Sequence, residues 1–198
     1  MTEEMRMTGT VPAEITLLGF TRVEDFQRAW NLGPRLTPDG IPGPVTMAAA
    51  RLSAGRHHAG QPDLSANFSA GEATCHCGGR FAGCHRVLVL RELLQALEAL
   101  RARHGGPITL QDIYRCPQYN ATIPWSASDS QHCYGTAADP VASLGLGTKF
   151  VRSLHVFSGI GSGARTGIVL HVDVRAAGPH NVTNSTVSSP AVWTYPGE

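Results

Sequence analysis

The sequence lacks several features that would place it in a simple class. Charged residues are few and balanced, with a formal net charge of +1. No basic surface is therefore available to neutralise a phosphate backbone, and nucleic acid is not an expected partner. Apolar runs such as Val87–Leu90 are far shorter than the roughly 20 residues that cross a bilayer. We expect no membrane span.

Compartment is not fixed by the N-terminus or by the cysteines. Met1–Arg6 is acidic and has no apolar core, so it is not a secretory signal. We expect either a leader removed from this sequence or export by another route. The five cysteines are odd in number, so at least one is unpaired or binds a metal. A chain of 198 residues can bury a core without disulfides, and we expect a monomer.

Helical patterns fill the first quarter of the chain. Apolar residues from Val23 to Trp30 recur at helical spacing, and a Pro/Gly-rich loop leads to a second short helix, Val45–Leu52. Ser53–Ser65 lacks apolar periodicity and is typical of a linker. These patterns predict a helical module over residues 11–54, a linker over 55–66, a larger domain over 67–178 and a C-terminal tail over 179–198.

The larger domain has one clear helix and two predicted strands. Val87–Arg103 has leucines along one stripe, and the glycines that follow it end the helix. Pro107–Leu110 predicts a short strand, and the β-branched residues of Gly167–Arg175 predict a second. The Ser/Thr/Pro-rich segment after Ala176 is expected to be loosely ordered. The pattern indicates an α+β fold.

Residues typical of a zinc site lie in the last third of the chain. His132 and Asp139 are separated by Gly135, which allows a tight turn between them. His171 and Asp173 lie on a predicted strand, where residues i and i+2 share a face. Two imidazoles and a carboxylate leave a fourth position open, as catalytic zinc sites do. Singly, each residue is more often a core histidine or a turn aspartate than a ligand, but the joint pattern favours a metal.

These residues resemble the zinc D-alanyl-D-alanine carboxypeptidase and endopeptidase family, which cleaves peptidoglycan stem peptides. Ser130-x-His132-x-x-Gly135-x-Ala137-x-Asp139, followed by His171 on a late strand, carries the resemblance. The family implies a small antiparallel sheet with flanking helices and zinc in a cleft. Other matching segments are Asn67-Phe68-Ser69, Glu72, Cys75, Cys77-Gly78-Gly79, Leu97-Glu98, Leu100-Arg101, Gly106-Pro107-Ile108 and Tyr114-Arg115-Cys116-Pro117 with Asn120.

The resemblance implies a role for each site residue. His132, Asp139 and His171 would bind Zn2+. Arg115 would pair with a substrate carboxylate through its planar guanidinium, although a surface arginine is an equal alternative. Ser130 would donate a hydrogen bond near the scissile group or orient its loop.

The general base is where the sequence departs from several members of the family. Those members have a Glu or Asp three residues before the last histidine ligand, where this chain has Ile168. The nearby carboxylate is Asp173. It either takes a proton from the attacking water or orients the metal ligands, and both roles stay open.

The cysteines offer two further arrangements. One disulfide with a free thiol is the commoner reading of such spacing, and Cys116 could pair with Cys133 if their loops adjoin the same cleft. The other is a second, structural zinc site formed by Cys75, Cys77, Cys84 and His85.

The first quarter of the chain resembles a small three-helix peptidoglycan-binding module. Asp39-Gly40-Ile41-x-Gly43-Pro44-x-Thr46 is the most specific segment, and Val23-x-x-Phe26-Gln27 with Trp30-Asn31-Leu32 precedes it. The alternative is a generic helical hairpin. Phe26, Trp30 and Ile41 are expected in the core in either case.

Both resemblances imply a zinc-dependent peptidoglycan peptidase that acts on the bacterial cell wall, outside the cell. The bond cleaved would be D-Ala–D-Ala, a cross-link, or L-Ala–D-Glu as in phage endolysins. A phage lysin released at lysis and a secreted carboxypeptidase are the alternatives within this class. A catalytically silent, zinc-containing wall-binding protein is the alternative from another class.

Overall fold

Residues 10–197 are described by a computed structural model, so the acidic Met1–Arg6 segment lies outside the described residues. Within this range no helix is long and apolar enough to cross a membrane. The helices are α1 (Ala13–Leu17), α2 (Val23–Ala29), α3 (Pro44–His58), α4 (Arg91–His104), α5 (Pro117–Asn120) and α6 (Thr148–Arg152). The strands are β1 (Leu110–Asp112), β2 (Ala137–Pro140), β3 (Gly159–Gly163), β4 (Val169–Asp173) and β5 (Ala191–Tyr195).

The five strands form one sheet in the order β1-β2-β4-β3-β5. The pairs β1/β2, β2/β4 and β4/β3 are antiparallel, whereas β3 and β5 are parallel. The parallel pair is possible because a long connection after β4 returns the chain before β5 begins. The α+β class with a sheet and flanking helices is confirmed, although the sheet is mixed where the family resemblance implies an antiparallel one.

A continuous hydrophobic core joins the N-terminal helices to the sheet. Ile15 of α1, Phe26 of α2 and Ala50 of α3 are buried in the same cluster as Ile160 of β3 and Val172 of β4. Helix α4 contributes to this core with leucines that recur at helical spacing along one face. These leucines are Leu93, Leu94, Leu97 and Leu100.

Polar contacts also join the N-terminal helices to the rest of the chain. The Arg91 guanidinium donates hydrogen bonds to the carbonyl oxygens of Trp30 and Gly33, each at 2.9 Å. Asp25 of α2 is buried, and its Oδ2 lies 2.8 Å from Nδ1 of His85. The N-terminal helices therefore pack directly against the segment that precedes the sheet.

Helix α3 extends into the segment that the sequence predicts as a linker. It runs to His58, past the predicted end at Leu52. Its buried face is made of small residues such as Ala49, Ala50 and Ala54, so no stripe of large apolar residues marks it in the sequence. Tertiary packing of small side chains thus lengthens the helix beyond its apolar pattern.

The prediction that Ile41 packs in the core is wrong, because its side chain is 63 % exposed. Phe26 and Trp30 are buried as predicted. Buried Gln27 occupies the inner position instead. Its Nε2 donates to Asp39 Oδ1 at 2.8 Å and to the carbonyl oxygen of Ile41 at 3.0 Å. These bonds pull the Ile41 backbone inward and leave its side chain facing solvent.

The C-terminal segment is ordered where the sequence predicts a loose tail. Residues 191–195 form β5, which pairs with β3 in register. Trp193 and Tyr195 share one face of this strand. Gly161 of β3 leaves room for both rings, because a Cβ at that position would lie 2.8 Å from each. The order of β5 therefore comes from pairing with a glycine-rich strand.

Candidate metal centre

Three side chains from different elements converge beside the central strands. His132 lies on the 3₁₀ turn Gln131–Tyr134, Asp139 on β2 and His171 on β4. His132 Nε2 is 3.0 Å from Asp139 Oδ1 and 3.2 Å from His171 Nδ1. Asp139 Oδ1 is 2.9 Å from His171 Nδ1. The structure therefore brings together the three residues that the sequence predicts as metal ligands.

Backbone geometry accounts for this convergence. Gly135 has a φ of +67°, and a Cβ there would lie 2.8 Å from the Leu88 carbonyl oxygen. Glycine thus permits the turn that separates His132 from β2. In the antiparallel pair β2/β4, Ala137 lies opposite Asp173. Continuing this register places Asp139 next to His171.

The hydrogen bonds around the two imidazoles direct three lone pairs at one point. His132 Nδ1 lies 2.7 Å from the carbonyl oxygen of Ile113, which only accepts, so that nitrogen carries the proton. His171 Nε2 lies 3.3 Å from Asp173 Oδ2, which places a proton on that nitrogen. In these neutral tautomers His132 Nε2, His171 Nδ1 and Asp139 Oδ1 face one another as acceptors.

A cation satisfies this set of acceptors. Tetrahedral zinc, with bonds of about 2.0–2.1 Å to nitrogen and oxygen, has ligand atoms roughly 3.3 Å apart. The distances of 2.9 to 3.2 Å between the three ligand atoms are close to that spacing. Two histidines and one carboxylate are also ligand types that zinc accepts. The residues present therefore fit a zinc ion.

Charge at the centre is arranged around Asp139. Burial alone would raise the pKa of Asp139, but the charges and hydrogen bonds of His132 and His171 hold it well below its usual range. Burial lowers the pKa of His171, yet hydrogen bonds to Asp139 and Asp173 outweigh it and raise that pKa to about 9. The shift at His171 indicates that the two carboxylates beside it favour positive charge at this position.

Asp173 lies on the far side of His171 from Asp139. The imidazole faces Asp139 with Nδ1 and Asp173 with Nε2. The buried Asp173 carboxylate also accepts hydrogen bonds from Arg175, from Nε at 2.9 Å and from the backbone N–H at 3.0 Å. Burial would raise the pKa of Asp173, but His171 and Arg175 lower it to about 2. Gly159 leaves the space, since a Cβ there would lie 2.1 Å from Asp173 Oδ2.

Arg115 contacts the second carboxylate oxygen of Asp139. Its Nη2 donates to Asp139 Oδ2 at 2.7 Å, and its Nε lies 3.6 Å from Asp112 Oδ2. Ser130 precedes the 3₁₀ turn, and its carbonyl oxygen accepts the N–H of Cys133 at 2.9 Å. Among residues 10–197 the Ser130 hydroxyl has no hydrogen-bond partner. The structure thus joins Arg115 to the ligand set and leaves Ser130 unattached to it.

Residues near the centre that the sequence did not predict belong to the C-terminal segment. The Trp193 ring centroid lies 5.2 Å from that of His171, and the Arg175 guanidinium carbon lies 5.2 Å from the Trp193 centroid. Burial raises the pKa of Tyr195, and the charge of Asp139 adds to the shift. The alternation of Val192, Trp193, Thr194 and Tyr195 is a period-two pattern that could have predicted this strand.

A second group of potential metal ligands, the four-cysteine cluster, lies elsewhere in the domain. Its sulfur atoms are within 4.8 Å of one another. His85, which the sequence groups with three of these cysteines, contacts Asp25 instead. All five cysteines lie in the described range and all are free thiols, so Cys116 and Cys133 form no disulfide. The cluster consists of Cys75, Cys77, Cys84 and Cys116.

Comparison with known proteins agrees with the geometry of the centre. The family model described as Peptidase M15 matches residues 66–173, which is more than half of the chain and includes all three converging ligands. No curated protein matches the chain. The M15 peptidases are zinc-dependent, in agreement with the cation that His132, Asp139 and His171 fit. The chain therefore belongs to the peptidase M15 family of metallopeptidases.

Proposed function

We propose that this protein hydrolyses a peptide bond in the stem peptides of peptidoglycan, with a zinc ion at His132, Asp139 and His171, and that it acts at the cell wall. Family membership suggests a zinc peptidase acting on peptidoglycan. The observation that carries the proposal is the convergence of one ligand atom from each of these three residues on one point. A bound zinc ion would polarise the scissile carbonyl and lower the pKa of water.

The chain's own residues orient this centre. Nδ1 of His132 donates to the Ile113 carbonyl oxygen, which fixes the ring and keeps Nε2 free for the metal. Arg115 holds Asp139 Oδ2, so that Oδ1 is the oxygen that faces the two histidines. A guanidinium has five N–H donors, so this contact does not use up Arg115 and leaves a role with a substrate carboxylate open.

The geometry favours the orienting role for Asp173 over the base role. Its carboxylate accepts the Nε2 proton of His171 and thereby fixes the ring with Nδ1 facing the other two ligands, as partners of ligating histidines commonly do. Arg175 neutralises the buried carboxylate. A base would need to reach the attacking water, whereas Asp173 is separated from the ligand atoms by the His171 ring.

Muropeptide analysis tests the proposal. Purified peptidoglycan is digested with wild type and with His132→Ala, and the products are identified by mass spectrometry. We expect wild type to release peptide fragments and the variant to release none above background. Terminal D-Ala would identify a carboxypeptidase, and freed stem or cross-link peptides an endopeptidase. Wild type that contains zinc but releases neither product would contradict the proposal.

One observation favours a second candidate function, a catalytically silent zinc protein that binds the wall. Ile168 occupies the position at which several relatives of this type have a carboxylate, and Asp173 is buried behind His171. This candidate predicts binding of wild type to insoluble peptidoglycan with no product at any zinc concentration.

We also propose that helices α1–α3 bind the cell wall. Gln27 ties the loop at residues 39–41 to α2, and Gly40 N–H donates to Gln27 Oε1 at 2.9 Å. The loop exposes Ile41, and the first turn of α3 exposes Val45; their side chains are 63 % and 73 % exposed. Sedimentation with insoluble peptidoglycan should show weaker binding for Ile41→Asp than for wild type. Val182→Asp, which changes an exposed apolar residue outside these helices, should bind as wild type does.

A further inference from the structure

The four-cysteine cluster lies in a part of the domain that has little regular secondary structure. Residues 74–90 connect the 3₁₀ turn Ala70–Ala73 to α4. Within them, Thr74 and Val87 form an isolated antiparallel β-bridge. The segment is rich in glycines with positive φ. Cys75 and Cys77 are nonetheless almost completely buried. These glycines are Gly78, Gly79 and Gly83.

The spacing of the sulfur atoms fits a metal and not a disulfide. All four lie within 4.8 Å of one another, and the Sγ atoms of Cys77 and Cys84 are 3.5 Å apart. A disulfide would need about 2.05 Å. Tetrahedral zinc, with bonds of about 2.3 Å to sulfur, separates its ligands by roughly 3.8 Å. Four sulfurs that all lie within 4.8 Å of one another can therefore surround one tetrahedral zinc ion after small adjustments.

Backbone amides are aimed at three of the four sulfurs. Hydrogen bonds of this kind favour the thiolate form, which is the form that binds metal. Arg86 adopts a φ of +61°, which is uncommon for a residue other than glycine, and its N–H points to a cluster sulfur. The donors are Cys116 N–H to Cys75 at 3.3 Å, Gly79 N–H to Cys77 at 3.3 Å and Arg86 N–H to Cys84 at 3.4 Å.

We infer that the four-cysteine cluster binds a structural zinc ion, separate from the centre at His132, Asp139 and His171. Four protein ligands complete the coordination of zinc, so the site would have no position for substrate. Thiolate ligands select zinc over calcium and magnesium. Tyr114 and Phe81 pack around the sulfurs and limit access of water.

The cluster would also fix part of the first centre. Cys116 directly follows Arg115, whose guanidinium holds Asp139 Oδ2. A metal that joins Cys116 to the loop at residues 75–84 would anchor the backbone that presents Arg115. Metal binding of this kind contributes directly to folding stability, because the unfolded chain has no preformed site.

Zinc content per chain tests the inference, with the other cysteine and the neighbouring histidine as matched controls. We expect two zinc ions in wild type by plasma mass spectrometry after dialysis, and one in His132→Ala. Cys77→Ser should also retain one, whereas Cys133→Ser and His85→Ala should retain two. A single ion in wild type, lost in His132→Ala and kept in Cys77→Ser, would overturn the inference without touching the proposed function.

Cobalt substitution of the unmutated chain avoids the risk that a cysteine variant does not fold. Protein loaded with Co2+ should show intense thiolate-to-cobalt charge-transfer bands, and His132→Ala should keep them. Thiol alkylation should label Cys133 in the zinc-loaded chain and all five cysteines after chelation. Cobalt-loaded wild type without these bands, or cluster thiols that react equally with and without zinc, would refute the site.

Discussion

Replacing Asp173 by Asn separates the two roles that the sequence leaves open for this residue. Asn has the same shape and fits the space that Gly159 leaves, but it removes the charge. The change leaves Arg175, whose side chain is 11 % exposed, without its buried partner. Breaking a buried pair costs about 3–5 kcal/mol. The remaining exposure of Arg175 favours the lower end, about 3 kcal/mol in the free energy of unfolding.

The larger effect should be on the metal. The Asn amide has a single neutral acceptor oxygen, for which Arg175 and the Nε2 proton of His171 compete. Weakening the partner of a ligating histidine in this way typically lowers metal affinity about 10–100-fold. We expect the zinc Kd to rise by that factor in a competition titration against a chromophoric chelator. Turnover should recover at saturating zinc, because an orienting residue acts through occupancy and ligand geometry.

A general base would give the opposite pattern. Zinc would bind with unchanged affinity, and kcat at saturating zinc would fall by about 10²–10⁴. That result would refute the orienting role. Asp129→Asn serves as the control, because this exposed carboxylate lies 3.3 Å from His180 and away from the ligands. It should change neither quantity.

Three further changes test the packing around the centre. Gly159→Ala should lower the melting temperature and the zinc content together, because its Cβ would lie 2.1 Å from the Asp173 carboxylate. The control Gly55→Ala should lower neither, because its Cβ meets nothing within 4 Å. A Gly159→Ala variant that melts at the same temperature as wild type would contradict this prediction. Arg115→Lys should raise the zinc Kd in the same titration, because an ammonium lacks the planar fork; an unchanged Kd would remove its positioning role. Leu97→Ala should cost about 2–5 kcal/mol in urea denaturation, and less than 1 kcal/mol would place Leu97 outside the core.

The metal ligands could be predicted because their residue types and spacing match a family motif. The turn at Gly135 is local to His132 and Asp139, whereas His171 reaches them through the long-range pairing of β2 with β4. The orienting geometry of Asp173 could not, because it depends on which imidazole nitrogen faces Asp139. That choice is made by the tertiary packing of His171 between two carboxylates.

Long-range contacts explain what the sequence did not predict. The sequence groups His85 with three cysteines because it is adjacent to Cys84, but the fold turns His85 towards Asp25 and brings in Cys116 from another segment. Strand β5 is likewise ordered by pairing with β3. Both predictions were wrong because they used residues adjacent in the sequence, whereas the actual partners are distant in sequence and close in the fold.

Muropeptide release by metal-stripped and zinc-restored protein tests most directly whether His132, Asp139 and His171 form a catalytic zinc centre. Chelation should abolish release by wild type, and added zinc should restore it. Asp139→Ala, stripped and supplied with the same zinc, should stay inactive while retaining the fold by circular dichroism. Release by the metal-free protein at the wild-type rate, or full recovery of Asp139→Ala with zinc, would contradict a catalytic metal at this site.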